Sequence, residues 1–161
     1  LGSLDKGVYR LMDETGYPGM KVLEFAFDGN EDNPYLPKNI KENSVCYTGT
    51  HDNDTLLGYI KKLKKKEYEV FVKGLEEVLG KEQIELELTD KRSVAKAVLF
   101  VTLWSRSKLA VIPIQDILLL GSSSRMNTPS TSRGNWQFKL KRIESYELSE
   151  FIGYCGLTGR L

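Results

Sequence analysis

Val45-Cys46-Tyr47-Thr48-Gly49-Thr50-His51-Asp52-Asn53-Asp54-Thr55-Leu56 is the stretch on which the fold turns. A short apolar run empties into a dense polar segment, and a helical pattern opens near Leu56. The polar segment holds the single histidine of the chain, followed by Asp52 and Asp54. Strand, polar loop, helix is the repeating unit of a parallel α/β sheet. In such sheets ligands collect at the C-terminal ends of the strands. Polar groups this dense at a strand exit are poorly explained as packing, so the candidate site starts here.

Upstream, Leu4 to Glu14 reads as an amphipathic helix, with Ser3 or Asp5 near its start and Gly16 as its stop. Lys21 to Phe27 is short, aromatic and mostly apolar, and reads as a strand buried on both faces. Asp28 to Ser44 is rich in Asn, Asp, Pro and Lys and reads as a long loop, a length that in compact domains usually signals function or disorder. Downstream, Leu56 to Gly80 reads as one or two helices, with Phe71, Leu75, Val78 and Leu79 on one stripe. Val94, Ala97, Val98, Val101 and Trp104 mark a further helix. Leu109 to Ile114 is a third strand with Gln115-Asp116 at its end, and Ile117 to Leu120 begin another helical turn. Asn135 to Leu140 reads as a short strand or extended segment, and Glu144 to Gly153 as a last helix. The alternation predicts an α/β fold with parallel strands and crossover connections. Three strands, apolar on both faces, have too little helix to cover them, which points to part of a larger sheet. Leu1-Gly2-Ser3, without a methionine, also reads as the entry to a helix of something longer.

Composition excludes several classes. The chain has 161 residues, the size of one domain, with 23 Lys and Arg against 22 Asp and Glu, a net charge of +1. That balance provides no field for nucleic acid or an anionic membrane. The basic run Lys61 to Lys66 reads as the solvated face of a helix. No apolar stretch nears the roughly 20 residues that span a bilayer. Cys46 and Cys155 show neither metal spacing nor a disulfide framework, and a soluble protein of the reducing cytoplasm is expected.

Three motifs carry chemistry. For His51 and Asp52, a carboxylate can accept from two adjacent sugar hydroxyls while an imidazole donates to a third oxygen. A carboxylate near the anomeric carbon also stabilises an oxocarbenium-like transition state. The competing reading is a helix cap, with Asn53 or Asp54 capping the helix at Leu56. A metal site at His51, Asp52 and Asp54 lacks the companion ligands that zinc or calcium requires, and no Gly-x-Ser-x-Gly elbow supports a serine hydrolase. Gln115 and Asp116 face the same pocket as Asp52 or cap the next helix. In Arg125-Met126-Asn127-Thr128-Pro129 and Gly134-Asn135-Trp136, loop amides and an aromatic face suit sugar recognition, and a buried Trp136 anchor is the alternative.

Taken in order, these segments resemble a known family. Gly16 to Phe27, Asn33-Pro34-Tyr35-Leu36-Pro37, Tyr47 to Thr55, Ile112 to Asp116, Arg125-Met126-Asn127 and Gly134-Asn135-Trp136 look like the C-terminal part of the 4-α-glucanotransferases, glycoside hydrolase family 77. The resemblance implies a partial (β/α)8 TIM barrel over residues 1–161, about strands 6 to 8 with their helices. It implies retaining transfer of α-1,4-glucan segments among maltooligosaccharides or starch- and glycogen-derived glucans, with glucose as an acceptor, and no cofactor or metal. Of the family's three catalytic acids it places the third, the transition-state stabiliser, at Asp52, with His51 contacting the sugar. The general acid/base would fall just before residue 1 and the nucleophile further upstream, so this chain alone is expected to be inactive and to self-associate. A non-catalytic carbohydrate-binding or structural fragment is the alternative. Two departures stand out: Lys38 where many members carry His after Leu-Pro, and Ser130 in place of the usual Gly after Asn-x-Pro.

Overall fold

The structure, a computed structural model, describes residues 5–161. Helix α1 spans Lys6–Thr15. The Asp5 carboxylate caps it by accepting from the Gly7 and Val8 N–H groups, and Gly16 ends it at φ 69°. Ser3 and Leu4, also expected at this helix start, lie outside the described residues. Leu11, an apolar residue of this expected amphipathic helix, is 58% exposed.

Strands β1 (Gly19–Val22), β2 (Ser44–Tyr47) and β3 (Leu109–Val111) form one parallel sheet in the order β1-β2-β3. Parallel neighbours in sequence order, flanked by helices, are consistent with a partial (β/α)8-like barrel. Helices α2 (Leu56–Lys62), α3 (Lys65–Lys81) and α4 (Lys91–Trp104) lie between β2 and β3; α5 (Ile114–Ile117) and α6 (Ser145–Leu157) follow β3.

Several expected boundaries move, each for a local reason. The strand expected over Lys21 to Phe27 ends at Val22, and Leu23–Phe25 forms a 3-10 turn closed by the Ala26 N–H on the Leu23 carbonyl at 3.0 Å. Turning there buries Leu23, Ala26 and Phe27 together. The strand expected to reach Ile114 ends at Val111. Pro113 offers no N–H to the ladder, and its carbonyl instead accepts from Asp116 and Ile117 to start α5. Gln115 and Asp116 therefore sit inside α5 rather than at a strand end. The long loop from Asp28 contains a 3-10 turn at Pro37–Asn39. The basic run crosses the α2–α3 junction instead of lying on one helix, although its lysines are exposed as expected. Asn135 to Leu140 forms no strand.

Helix α4 is the centre of the core. Val94, Ala95, Ala97, Val98, Leu99, Phe100, Val101, Thr102 and Leu103 are all buried, and α4 packs on β2, α2, α3 and α6. Asp90 caps it through the Arg92 and Ser93 N–H groups. Leu56, Leu57 and Ile60 of α2 and Phe71 and Leu75 of α3 complete the cluster with Leu23 and Phe27. Each such side chain contributes about 1.5–3 kcal/mol on burial. Arg160 ties the C-terminal segment to this layer, its guanidinium donating to the Leu103, Ser105 and Ser107 carbonyls.

The sheet is covered on one face. Residues in register share a face, so Cys46, buried against the helices, lies with Lys21 and Ala110. The other face carries Met20, Val45 and Leu109, then Val22, Tyr47 and Val111, of which Val22 is fully buried. Met20 is 41% exposed, Leu109 53% and Val111 41%. Burial on both faces, as the apolar strands predict, is therefore met on the helix side and, on the opposite face, fully only at Val22.

Candidate functional site

Thr48, just past β2, is the first anchor of the loop. Its carbonyl accepts from the Glu24 N–H at 3.1 Å, and its hydroxyl donates to Asp116 Oδ2 at 2.5 Å. Asp116 Oδ1 accepts the Leu56 N–H at 2.7 Å. So Asp116 does act on a helix N-terminus, but on that of α2 rather than the helix following it, and its carboxyl, 2% exposed, is fully occupied. Burial pushes that carboxyl above its usual range, outweighing the Thr48 and Leu56 bonds, and the nearby Asp54 charge adds to the rise.

The capping residue of α2 is Thr55, whose hydroxyl accepts the Gly58 N–H at 3.2 Å. Neither Asn53 nor Asp54 performs that task. Asn53 Oδ1 accepts from the Thr50 N–H at 2.9 Å and the Thr50 hydroxyl at 2.6 Å, fixing the turn that carries His51 and Asp52. Asp54 accepts from Ser122 Oγ at 2.8 Å, from Lys62 Nζ and from the Thr55 N–H. Burial works against its ionisation, but these bonds win and hold its carboxyl below the usual range. Tight packing explains Gly58 here: a Cβ would meet Ser122 Oγ at 2.6 Å and Asp54 Oδ1 at 2.7 Å.

At the loop tip, His51 and Asp52 are exposed. His51 Nε2 stands 3.4 Å from Asp52 Oδ1. The same Oδ1 accepts from Asn127 Nδ2 at 2.6 Å. Arg125 donates to the Asp52 carbonyl at 2.6 Å and to the Asn127 carbonyl at 2.7 Å, and the Asn127 N–H donates to the His51 carbonyl at 3.1 Å. Thus the Arg-Met-Asn segment, more than 70 residues downstream, clamps the His-Asp pair. Asp52 Oδ2 carries no hydrogen bond among the described residues, and the side chain is half-exposed.

Trp136 completes the site. Its ring centroid lies 5.2 Å from that of His51, at 38° between planes. At 62% exposure it is no buried anchor. Its backbone, at φ 59°, is pinned by its N–H on the Met126 carbonyl at 2.7 Å, and Asn135 braces the loop through Thr128 and Thr131. Ser130 adopts φ 63°, a left-handed conformation that favours glycine. The Ser-for-Gly departure that the resemblance implies at this position therefore falls where a side chain is strained.

Gly49, His51, Asp54, Gln115, Arg125 and Trp136 line a cleft of about 200 Å³. Both polar residues expected at the third strand, Gln115 and Asp116, line this cleft with His51, whereas the Asp52 side chain lies outside its lining. A groove of about 460 Å³ lies elsewhere, between Phe27–Lys38 and α3. It is larger, but it carries dispersed charges of both signs and no converging polar set, so side-chain chemistry favours the smaller cleft. Among the described residues no three His, Cys, Asp or Glu side chains gather as a metal set. No helix of the described residues is long and apolar enough to cross a membrane.

Sequence reasoning missed Glu24. It is 1% exposed, in the turn behind the loop. The signal was present: an acidic residue inside the apolar run Val22 to Phe27 must be buried or break the run.

The chain is similar to known proteins in sequence and in fold. A family model described as 4-alpha-glucanotransferase matches residues 1–145. The chain is similar to the chloroplastic/amyloplastic 4-alpha-glucanotransferase DPE1 of Arabidopsis thaliana, 42% identical over 147 residues, covering 91% of this chain and 24% of the relative. It is similar to the 4-alpha-glucanotransferase of Thermus thermophilus, 40% identical over 142 residues, covering 87% of this chain and 27% of the relative. Among solved structures, the amylomaltase from Streptococcus agalactiae in complex with acarbose aligns with a TM-score of 0.84 at 28% identity, covering 99% of this chain and 31% of that one. The chain thus spans about a quarter to a third of the length of these relatives.

Proposed function

The chain belongs to the 4-alpha-glucanotransferase family, and we propose that it supplies the C-terminal part of a barrel, about strands 6 to 8, of an enzyme that moves α-1,4-glucan segments between maltooligosaccharides. Its donors are starch- or glycogen-derived glucans and its acceptors include glucose. Asp52 is the catalytic residue of this part and His51 binds the sugar. The observation that carries the reading is the exposed Asp52 carboxylate, clamped by Asn127 beside His51 and the Trp136 face.

In this reading Asn127 holds Oδ1 of Asp52 and leaves Oδ2 directed at substrate. A fixed negative charge there offsets the positive charge that develops at the anomeric carbon. The His51 imidazole binds a neighbouring sugar oxygen, and the Trp136 ring offers an apolar face to a pyranose. The nucleophile and the general acid/base, about 5–5.5 Å apart in retaining enzymes, belong to the part of the parent upstream of this chain. A sugar hydroxyl rather than water then resolves the glucosyl-enzyme intermediate. No cofactor or metal enters the scheme. Cys46 and Cys155 are free thiols, as suits the reducing cytoplasm where we place the enzyme.

Two experiments test this. The pure chain, incubated with maltotriose, forms neither glucose nor longer maltodextrins; robust product formation refutes the division of acids. In the longer parent, Asp52→Asn lowers turnover on the order of 10²-fold or more while leaving the melting temperature in place. Near-normal turnover of that variant reduces Asp52 to a binding residue.

A further inference from the structure

Glu24 has no role in the scheme above, yet it touches the base of the loop that carries it. The residue sits in the 3-10 turn that follows β1 and is 1% exposed. Its Oε1 is the one buried side-chain polar atom among the described residues without a hydrogen-bond partner. A Cβ placed on Gly49 would stand 3.1 Å from that oxygen, 3.2 Å from the Glu24 carboxyl carbon and 3.4 Å from Asn53 Cβ. The loop backbone at Gly49 therefore rests against the Glu24 carboxyl, next to the Asn53 side chain that shapes the turn.

Charges crowd this carboxyl from several elements. Asp116 of α5 and Asp54 of the loop repel a negative charge on Glu24; Arg125 attracts it. Tyr59 of α2 lies within its field, and Asp28, Lys66 and Glu67 border the same cavity. Burial first, then the two aspartates, push the Glu24 carboxyl up to about 9, more than Arg125 and the Asn53 amide pull it down. Burial and the two aspartates thus favour the uncharged acid at neutral pH, a form with an O–H to donate.

We propose that Glu24 is a positioning residue: as an uncharged acid it seats the Gly49–Asn53 backbone, and ionising it displaces that backbone and with it His51 and Asp52. The proposal rests on the reading of His51 and Asp52 as the sugar site. It differs from plain packing because a filler side chain would not couple the loop to a proton.

The test is an NMR titration of this chain between pH 6 and 10, following the Glu24 carboxyl carbon, the amides of Gly49 to Asp54 and the His51 ring, which is unambiguous as the single histidine. The Glu24 carboxyl and the loop amides move together with a midpoint near 9. Glu24→Gln, neutral and nearly isosteric, abolishes that loop transition and keeps the loop shifts close to those of the unsubstituted chain at pH 7. A carboxyl titrating near 4.5 overturns the proposal. So do loop amides that stay flat while the carboxyl titrates, or a loop transition that persists in Glu24→Gln. Should Glu24→Gln fail to fold, co-titration in the unsubstituted chain decides alone. The readout is loop geometry, not turnover, so its failure leaves the assignment of Asp52 standing. Failure of the Asp52→Asn test likewise leaves the titration intact.

Discussion

Removing the Asp116 carboxyl tests how the site is held. Asp116→Ala strips two charge-assisted bonds, to the Thr48 hydroxyl at 2.5 Å and the Leu56 N–H at 2.7 Å. Hydrogen bonds to charged groups contribute about 1.5–3 kcal/mol each, so the gross loss is about 3–6 kcal/mol. Burying the carboxylate has a cost of its own, shown by its raised pKa. The variant is relieved of that cost, so the net loss falls to the low end, about 3 kcal/mol. The Leu56 N–H is left buried and unpaired at the start of α2, which concentrates the damage there. The assay is urea denaturation at pH 7 and fixed protein concentration, with hydrogen exchange of the α2 amides alongside. Asp116→Ala shifts the midpoint by the stated amount and exposes the Leu56 amide to exchange. Asp116→Asn, which keeps one acceptor, loses less. A change under about 1 kcal/mol with Leu56 still protected would refute the staple.

Other expectations follow from the same structure. Glu24, raised from 4.5 to about 9, contributes stability that is full below pH 4.5 and is lost progressively as pH rises toward 9; the loss reaches about 3 kcal/mol at pH 7, and thermal melts of Glu24→Gln lack this slope. Ser130→Gly relieves the left-handed backbone at φ 63° and raises stability by about 0.5–1 kcal/mol in the same melts, whereas no gain would mean the loop relaxes around the serine. Arg160→Ala, losing its bonds to the Leu103, Ser105 and Ser107 carbonyls, lowers stability by about 2 kcal/mol and speeds hydrogen exchange in α6. The isolated chain self-associates through the face bearing Met20, Leu109 and Val111 and the free edges of β1 and β3; a sharp monomer peak at high concentration in size-exclusion with light scattering would contradict this.

What the sequence made legible was local. Val45 to Leu56 announced a strand, a polar loop and a helix, and they stand where the pattern puts them. The cap at Asp5 and the buried stripe of α4 follow from side-chain chemistry within a few residues. The misreadings came from contacts made at a distance. Val22 and Leu23 look alike in sequence, and burial of Ala26 and Phe27, not propensity, decides that the strand stops between them. Asp116 reads as a cap in sequence; that it caps a helix 60 residues earlier is a tertiary fact. Trp136 on its own is ambiguous between anchor and platform, and the hydrogen bond from its N–H to the Met126 carbonyl turns the ring toward His51. Glu24 is hidden in the sequence by its apolar neighbours, Val22, Leu23, Phe25 and Phe27, and only the fold shows it buried against the loop.

The staples that hold the site also set its place in time. Thr48 and Asp116 are 68 residues apart, Asp52 and Asn127 75. Closing a loop of about 70 residues instead of one of about 4 adds about 2.5 kcal/mol of chain entropy. We expect those contacts to form after the local helices and after the rate-limiting barrier to folding. Weakening them at Asp116 or Asn127 steepens escape from the native state and leaves the refolding rate as it was. The half-life of the folded site, rather than the speed of its formation, is the quantity these residues govern.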